Sequence, residues 1–398
     1  MLLNAIRNNA RHRVWSVVTE PIPGGKGTYF SVDILRGLAA LSILIFHYHF
    51  FFRRGPELSM PIEGLRANPA VDFFWPLFQK GWLAVMLFWT ISGFVFMHVY
   101  AGRHIKTTMG EFAINRIARL YPLHIGTLLL VAALQAFSMD MFGNYTIYQT
   151  NDFFHFVLNI FMASEWGLQD GRSFNGPFWS VSVEILIYAA FFIFIKNFPI
   201  SLFSLSLAVI AFLSLTILTS SNIAFCGVYF FMGALAYGVM KSILALGNKK
   251  ALTLATSALA LWICFREIAH FAGFNIPMTI NLGLLFALLV IFLGSLETAF
   301  NAGWLKKFRI LGDITYATYL IHTPIIMMFH LANRAGWVKI DVVYEVWFFV
   351  AYMVFVCGVS WLVFKYFERP AQRYIRNAYR SFIERKSGLP IKAVQPAE

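Results

Sequence analysis

Ten stretches of this chain are apolar for about the length that crosses a bilayer: 30–52, 81–100, 118–138, 178–195, 200–219, 223–240, 251–270, 279–298, 311–330 and 343–364. Hydrocarbon offers no water to pair with exposed peptide groups, so only helices and closed barrels span it. Stretches of 18 to 23 residues fit helices rather than the much shorter strands of a barrel. The expected architecture is therefore all-α: a polytopic integral membrane protein of about ten transmembrane helices enclosing a central passage. Only 13% of the residues are charged, against about 25% in a typical soluble domain. The net charge of +13 does not point to nucleic acid, because the cations are dispersed in short segments between the apolar stretches.

An even number of spans puts both termini on one side. That side then carries 23 of the Lys and Arg residues and the other side 8, so both termini are expected to be cytoplasmic. Residues 1–29 form a basic segment without the continuous apolar core of a signal peptide. Pro21, Pro23, Gly24, Gly25 and Gly27 break the chain before the first span. Residues 30–366 make the membrane domain. The basic tail 367–398 has Tyr374, Ile375, Tyr379, Phe382 and Ile383 at helical spacing, which predicts an amphipathic helix on the anionic inner leaflet. Two outer segments are long, 53–80 and 139–177. The second holds Asp140, Asp152, Glu165 and Asp170 with Asn144, Tyr145, Tyr148, Asn151 and Trp166. Those side chains suit a sugar-like ligand, and they equally suit a solvated cover over the helix ends. Cys226, Cys264 and Cys357 lie singly in apolar stretches, with no metal-ligand spacing.

The chemistry is expected where polar groups interrupt the spans. The first span carries Asp33, Arg36 and His47. A charge near mid-membrane costs roughly 2.5–3.5 kcal/mol on insertion scales. Arg36 and His47 are three helical turns apart, so one face presents a fixed cation and, about 16 Å deeper, a titratable base. Ser92–Gly93 in the second span allows either a close helix approach or a narrow passage for a slim ligand. Arg116 and Arg119, one turn apart with Arg103 and Lys106 nearby, suit a phosphate-bearing ligand or ordinary inner-surface anchoring. Ser180, Glu184 and Tyr188 share a face of the fourth span. A buried carboxylate needs a partner, and Glu184 lies at the depth of His47. Thr315, Tyr319 and His322 share a face of the ninth span.

Taken in order, Arg36 and His47, GWLAVMLFWTISGF, RIARLYP, WSVSVE, LGDITYATYLIHTP and YFERP resemble the acyltransferase-3 family of bacterial membrane proteins. The resemblance implies transfer of an acyl group, usually acetyl, from cytoplasmic acetyl-CoA to a carbohydrate or glycolipid hydroxyl of the cell envelope, such as lipopolysaccharide. It implies the bacterial inner membrane, no metal and no nucleic-acid partner. It places His47 and Arg36 in the catalytic pair, with Glu184 beside them. It puts Arg116, Arg119, Tyr121 and Ser92 toward the donor, and Trp179, Ser180, Tyr319 and His322 toward the acceptor. Thr315 stands where a serine is commoner, and Trp89 interrupts the usual phenylalanine run. The resemblance fits the stand-alone form without an SGNH hydrolase-like domain. A secondary transporter is the alternative class, and it would be expected to show two related halves; no such repeat is visible in the sequence.

Overall fold

The computed structural model describes residues 28–52, 66–102 and 105–387. The basic segment 1–27, Arg103 of the arginine-rich loop and the last residues of the tail lie outside them. Among the described residues every regular element is helical. The long helices are α1 (Phe30–His47), α2 (Ala84–Tyr100), α3 (Met109–Phe142), α4 (Trp179–Asn197), α5 (Leu202–Thr219), α6 (Asn222–Leu244), α7 (Asn248–Phe271), α8 (Met278–Ala299), α9 (Thr315–Arg334), α10 (Val346–Val363) and α11 (Arg369–Ser387). Each of the ten apolar stretches coincides over most of its length with one of α1 to α10.

Nine spans among the described residues are long and apolar enough to cross a membrane. The exception is α9, which has Thr315, Thr318, Tyr319, His322 and Thr323 in its sequence and is buried over most of its length. A helix surrounded by other helices faces little lipid, so it needs less hydropathy than its neighbours. Two helical runs continue well past their apolar stretches. Helix α3 has 34 residues, starting at Thr108, whose side chain accepts from the Glu111 N–H, and ending at Gly143 with φ 71°. At about 1.5 Å per residue it outruns a ~30 Å hydrocarbon core. Arg116 and Arg119 therefore sit on a helix rather than in a loop. Helix α10 runs through a π turn at Phe364–Glu368 into α11.

Two close approaches set the packing. A Cβ on Gly93 of α2 would overlap the Phe230 carbonyl of α6, and one on Gly233 of α6 would overlap the Thr90 carbonyl of α2. Each glycine thus admits the partner's backbone. The second approach lies at the start of α1. Gly37 faces Leu311, and Gly312 of the short helix Arg309–Asp313 faces Asp33.

The segment between α3 and α4 is a folded cover. Gln135 of α3 donates to the Thr146 carbonyl and accepts the Thr146 N–H. Asp152 caps the short helix Phe153–Ile160, and donations from the His155 N–H and ring hold its carboxyl below the usual range. Pro324 inside α9 has no N–H to give to the Leu320 carbonyl four residues earlier. The buried Asn175 side chain, just ahead of α4, donates to that carbonyl at 2.9 Å.

Two stability measurements in detergent follow. Gly93→Ala should cost roughly 1–3 kcal/mol or more, because a backbone carbonyl blocks the new methyl. Gly358→Ala, which meets nothing within 4 Å, should be neutral or slightly stabilising; equal effects would remove the crossing argument. Asn175→Ala should cost about 1–3 kcal/mol by orphaning the Leu320 carbonyl. Adding Pro324→Ala restores an N–H there and should recover most of that loss.

Candidate active site

A cavity of about 480 Å³ opens at the end of the bundle where α1, α3 and α9 begin and where α2 and α4 finish. Its walls come from α1, α2, α3, α4, the Arg309–Asp313 helix, α9 and α11. Seven arginines and three carboxylates line it, so its open end is strongly cationic.

Arg36 is fixed from two sides. One Nη donates to the Asp33 carboxylate at 3.1 Å and to the Gly312 carbonyl at 2.9 Å. The glycine at 312 is what lets that carbonyl come so near. Arg309 pairs with Asp313 at 3.6 Å, and Arg119 with the buried Glu368 of the π turn at 3.8 Å. Arg116 has no carboxylate within ion-pair distance among the described residues. It lies over the Phe96 ring at 4.7 Å, and its buried Nε lacks a hydrogen-bond partner.

Deeper in, the Glu184 carboxylate lies beside Ser92 and Tyr188, with the Arg116 charge beyond. One Glu184 oxygen, Oε1, has no hydrogen-bond partner among the described residues. The alternatives for Ser92–Gly93 divide between its two residues. Gly93 makes the crossing with α6, and Ser92 lines the cavity. At the inner limit, Tyr319 donates to the Pro177 carbonyl at 2.7 Å and meets the Ser180 hydroxyl at 2.7 Å. The Trp89 indole donates to the Ser180 carbonyl at 3.3 Å.

His322 lies one turn beyond Tyr319 on α9, their rings 6.1 Å apart. Its Nε2 is 2.9 Å from His47 Nδ1, and the two ring planes agree within 11°. His322 Nδ1 lies 3.2 Å from the Thr318 carbonyl. A carbonyl only accepts, so His322 carries its proton on Nδ1 and presents a lone pair at Nε2. That lone pair takes the His47 Nδ1 proton, and the His47 lone pair is left on Nε2, which makes Nε2 the basic atom. At Nδ1, His47 is therefore partnered by His322 rather than by Glu184. Depth along a helix can be counted from sequence, but the direction around it cannot. Glu184 points toward Ser92 and Tyr188 instead.

Among the predicted residues, Arg36, Ser92, Arg116, Arg119, Ser180, Glu184 and Tyr319 share the cavity wall, with His47 and His322 just beyond. Tyr121 and Trp179 do not line it. Tyr121 is turned away from the wall by the helical step from Leu120 and packs in the core. Trp179 sits edge-on to Trp89 at 5.8 Å, under the Arg172 guanidinium at 4.9 Å. Sequence reasoning missed Arg309, Arg369, Arg373 and Arg376. The last three recur at four- and three-residue steps, a helical stripe that was legible beside the apolar spacing of the tail.

Comparison with known proteins supports the ordered motifs. A protein from Rhizobium radiobacter described as protein 2 in the picA locus is 36% identical over 107 residues, which cover 26% of this chain and 44% of that protein. The chain thus matches less than half the length of this curated relative. No solved structure matches. A family model described as an acyltransferase domain matches residues 29–365, from just before α1 to the π turn. With a match over most of its length, the chain belongs to the acyltransferase-3 family, built here as a multi-pass membrane protein.

Proposed function

We propose that the protein is an O-acyltransferase that moves an acyl group, most simply acetyl, from acyl-CoA to a hydroxyl of a carbohydrate or glycolipid. The observation that carries this reading is the continuity of the site: a cationic cavity at one end and, one turn past its inner limit, a base whose tautomer is fixed. The inside-positive bias supports a cytoplasmic opening and cytoplasmic termini in the inner membrane of a bacterium. The donor's phosphates then bind near Arg116 and Arg119, and its thioester arm runs inward past Ser92 and Glu184. Arg116 fits such a role because its charge has no carboxylate within ion-pair distance among the described residues and its Nε has no hydrogen-bond partner. The acceptor arrives from the side of the folded outer cover.

His47 Nε2 removes the acceptor hydroxyl proton as that oxygen attacks the thioester carbonyl. The new C–O bond forms, the C–S bond breaks, and the proton passes to the departing thiolate to give free coenzyme A. His322 acts through His47 by holding its Nδ1 proton, as an orienting group does for any catalytic imidazole. Arg36, fixed by Asp33 and the Gly312 carbonyl, sets the charge along the route. Ser180 and Tyr319 satisfy each other's hydroxyls and tie α4 to α9 at its inner limit.

In liposomes carrying the purified protein, labelled acetyl-CoA and a glycan acceptor should yield an acetyl ester. His47→Ala should lower the rate by roughly 10²–10⁴-fold, and an unchanged rate in a well-folded variant would overturn the role of His47. His322→Leu should lower kcat to a comparable degree while leaving donor affinity within about threefold, since it removes only the tautomer lock. Solute uptake that ignores acyl-CoA would instead support a transporter. Mass spectrometry of envelope glycans with and without the gene would identify the acceptor by loss of one acetyl unit.

A further inference from the structure

We infer that α11 reads the 3′-phosphate of the coenzyme, so that the site distinguishes coenzyme A from its 3′-dephospho form; this rests on the acyl-CoA donor proposed above. The helix is packed along α3, with the Tyr379 hydroxyl against Gly110. Arg369, Arg373, Arg376 and Arg380 recur at steps of four, three and four residues and form one stripe. Arg369, Gln372, Arg373 and Arg376 reach the cavity wall, while Tyr374 and Phe382 are exposed elsewhere on the helix.

Charge placement separates this stripe from ordinary lipid-surface basic residues. Arg376 stands among Arg116, Arg119 and Arg380, all of its own sign. The buried Nε atoms of Arg116 and Arg376 have no hydrogen-bond partner among the described residues. Guanidiniums gathered in this way repel one another, and a buried donor without an acceptor carries a desolvation cost. Elsewhere on the wall the arginines have carboxylate partners, Arg36 in Asp33, although its Nε is also without a hydrogen-bond partner, and Arg309 in Asp313. The lining arginines that form no ion pair among the described residues, Arg116, Arg369, Arg373 and Arg376, therefore lie where α11 meets α3.

The charge of the lining matches a polyphosphate ligand. The lining has an excess of four positive charges, or three once Glu368 beside Arg119 is counted. A diphosphate bridge supplies about two negative charges, and a phosphomonoester adds about 1.5–2. Only the ligand carrying both approaches the excess. Glu368 also fixes the helix, because it bonds the Gln372 side chain at 2.9 Å while facing Arg119 of α3. The same carboxylate thus holds α11 and a donor-site arginine in register.

The test is titration of coenzyme A and 3′-dephospho-coenzyme A into the full-length protein in nanodiscs of uncharged lipid. The wild type should prefer coenzyme A by at least tenfold. Arg373→Ala with Arg376→Ala should weaken coenzyme A by at least tenfold, leave the dephospho form within about threefold, and so bring the two together. Arg373→Lys with Arg376→Lys should keep part of the preference and report on folding. Arg385→Ala, on the opposite side of the helix, should change neither ligand. If the double alanine variant weakens both ligands equally or neither, α11 does not read the 3′-phosphate and is a membrane-surface helix. If the wild type binds neither ligand, the acyl-CoA donor itself is wrong.

Discussion

The position of α1 controls the whole site, because that one helix carries both Arg36 and His47. It is held by polar contacts that lipid makes strong. The buried Glu297 carboxylate of α8 accepts the Ser31 N–H at 2.8 Å, and the Ser31 hydroxyl reaches the Leu293 carbonyl at 3.3 Å. A carboxylate at a helix N-terminus pairs an otherwise orphan N–H and suits the helix dipole. One turn on, Gly37 and Gly312 bring the Arg309–Asp313 helix against α1 closely enough for Arg36 to bond a backbone carbonyl. At the other end His322 takes the His47 proton. These three attachments come from α8, the segment before α9, and α9 itself. The distance between the cation and the base is thus set by helix geometry, and their surroundings by three other elements.

How much of this was legible in the sequence differs by residue. The shared face of Arg36 and His47 follows from helical counting alone. The ten apolar stretches follow from the lipid's demand for internally paired backbone. Helix α9 shows where hydropathy misleads: with its polar residues it is the one of the ten that falls short of a membrane span. The partner of His47 could not be read, since neither depth nor composition fixes how one helix is rotated against another. Depth pointed to Glu184, and only packing brings His322 to His47. Arg369, Arg373 and Arg376 were missed for another reason. Their tail reads as a basic surface helix until the π turn at Phe364–Glu368 directs it along α3.

The cover between α3 and α4 shows the same limit. Its asparagines and aromatics look like a sugar site in sequence. In the folded protein Asn151 accepts the Phe174 N–H, Asn175 serves the Leu320 carbonyl, and the Trp166 indole donates to the Ser182 carbonyl. Much of that polarity therefore closes the fold above α9. This is what membrane depth requires, because irregular backbone there survives only when its groups are paired within the protein. The cover and α9 are interdependent through Pro324: the proline breaks the ladder, and the loop supplies the missing donor.

The histidine relay carries a chemical consequence for the proposed reaction. On its Nδ1 side, His47 is supported by His322 and then by the Thr318 carbonyl. That chain ends on a peptide dipole, whereas the serine-protease triad ends on a carboxylate. A dipole fixes the tautomer as firmly as a charge does, but it stabilises an imidazolium less. A proton taken by Nε2 therefore gains little by staying there. The thiolate leaving the thioester develops negative charge in the same reacting centre and is the natural receiver. The arrangement favours a base that accepts and returns the proton within one encounter of donor and acceptor, which in turn requires both substrates to be present at His47 together. In the proposed reaction the donor enters by the arginine-lined end and the acceptor from the side of the folded cover, which meets that requirement.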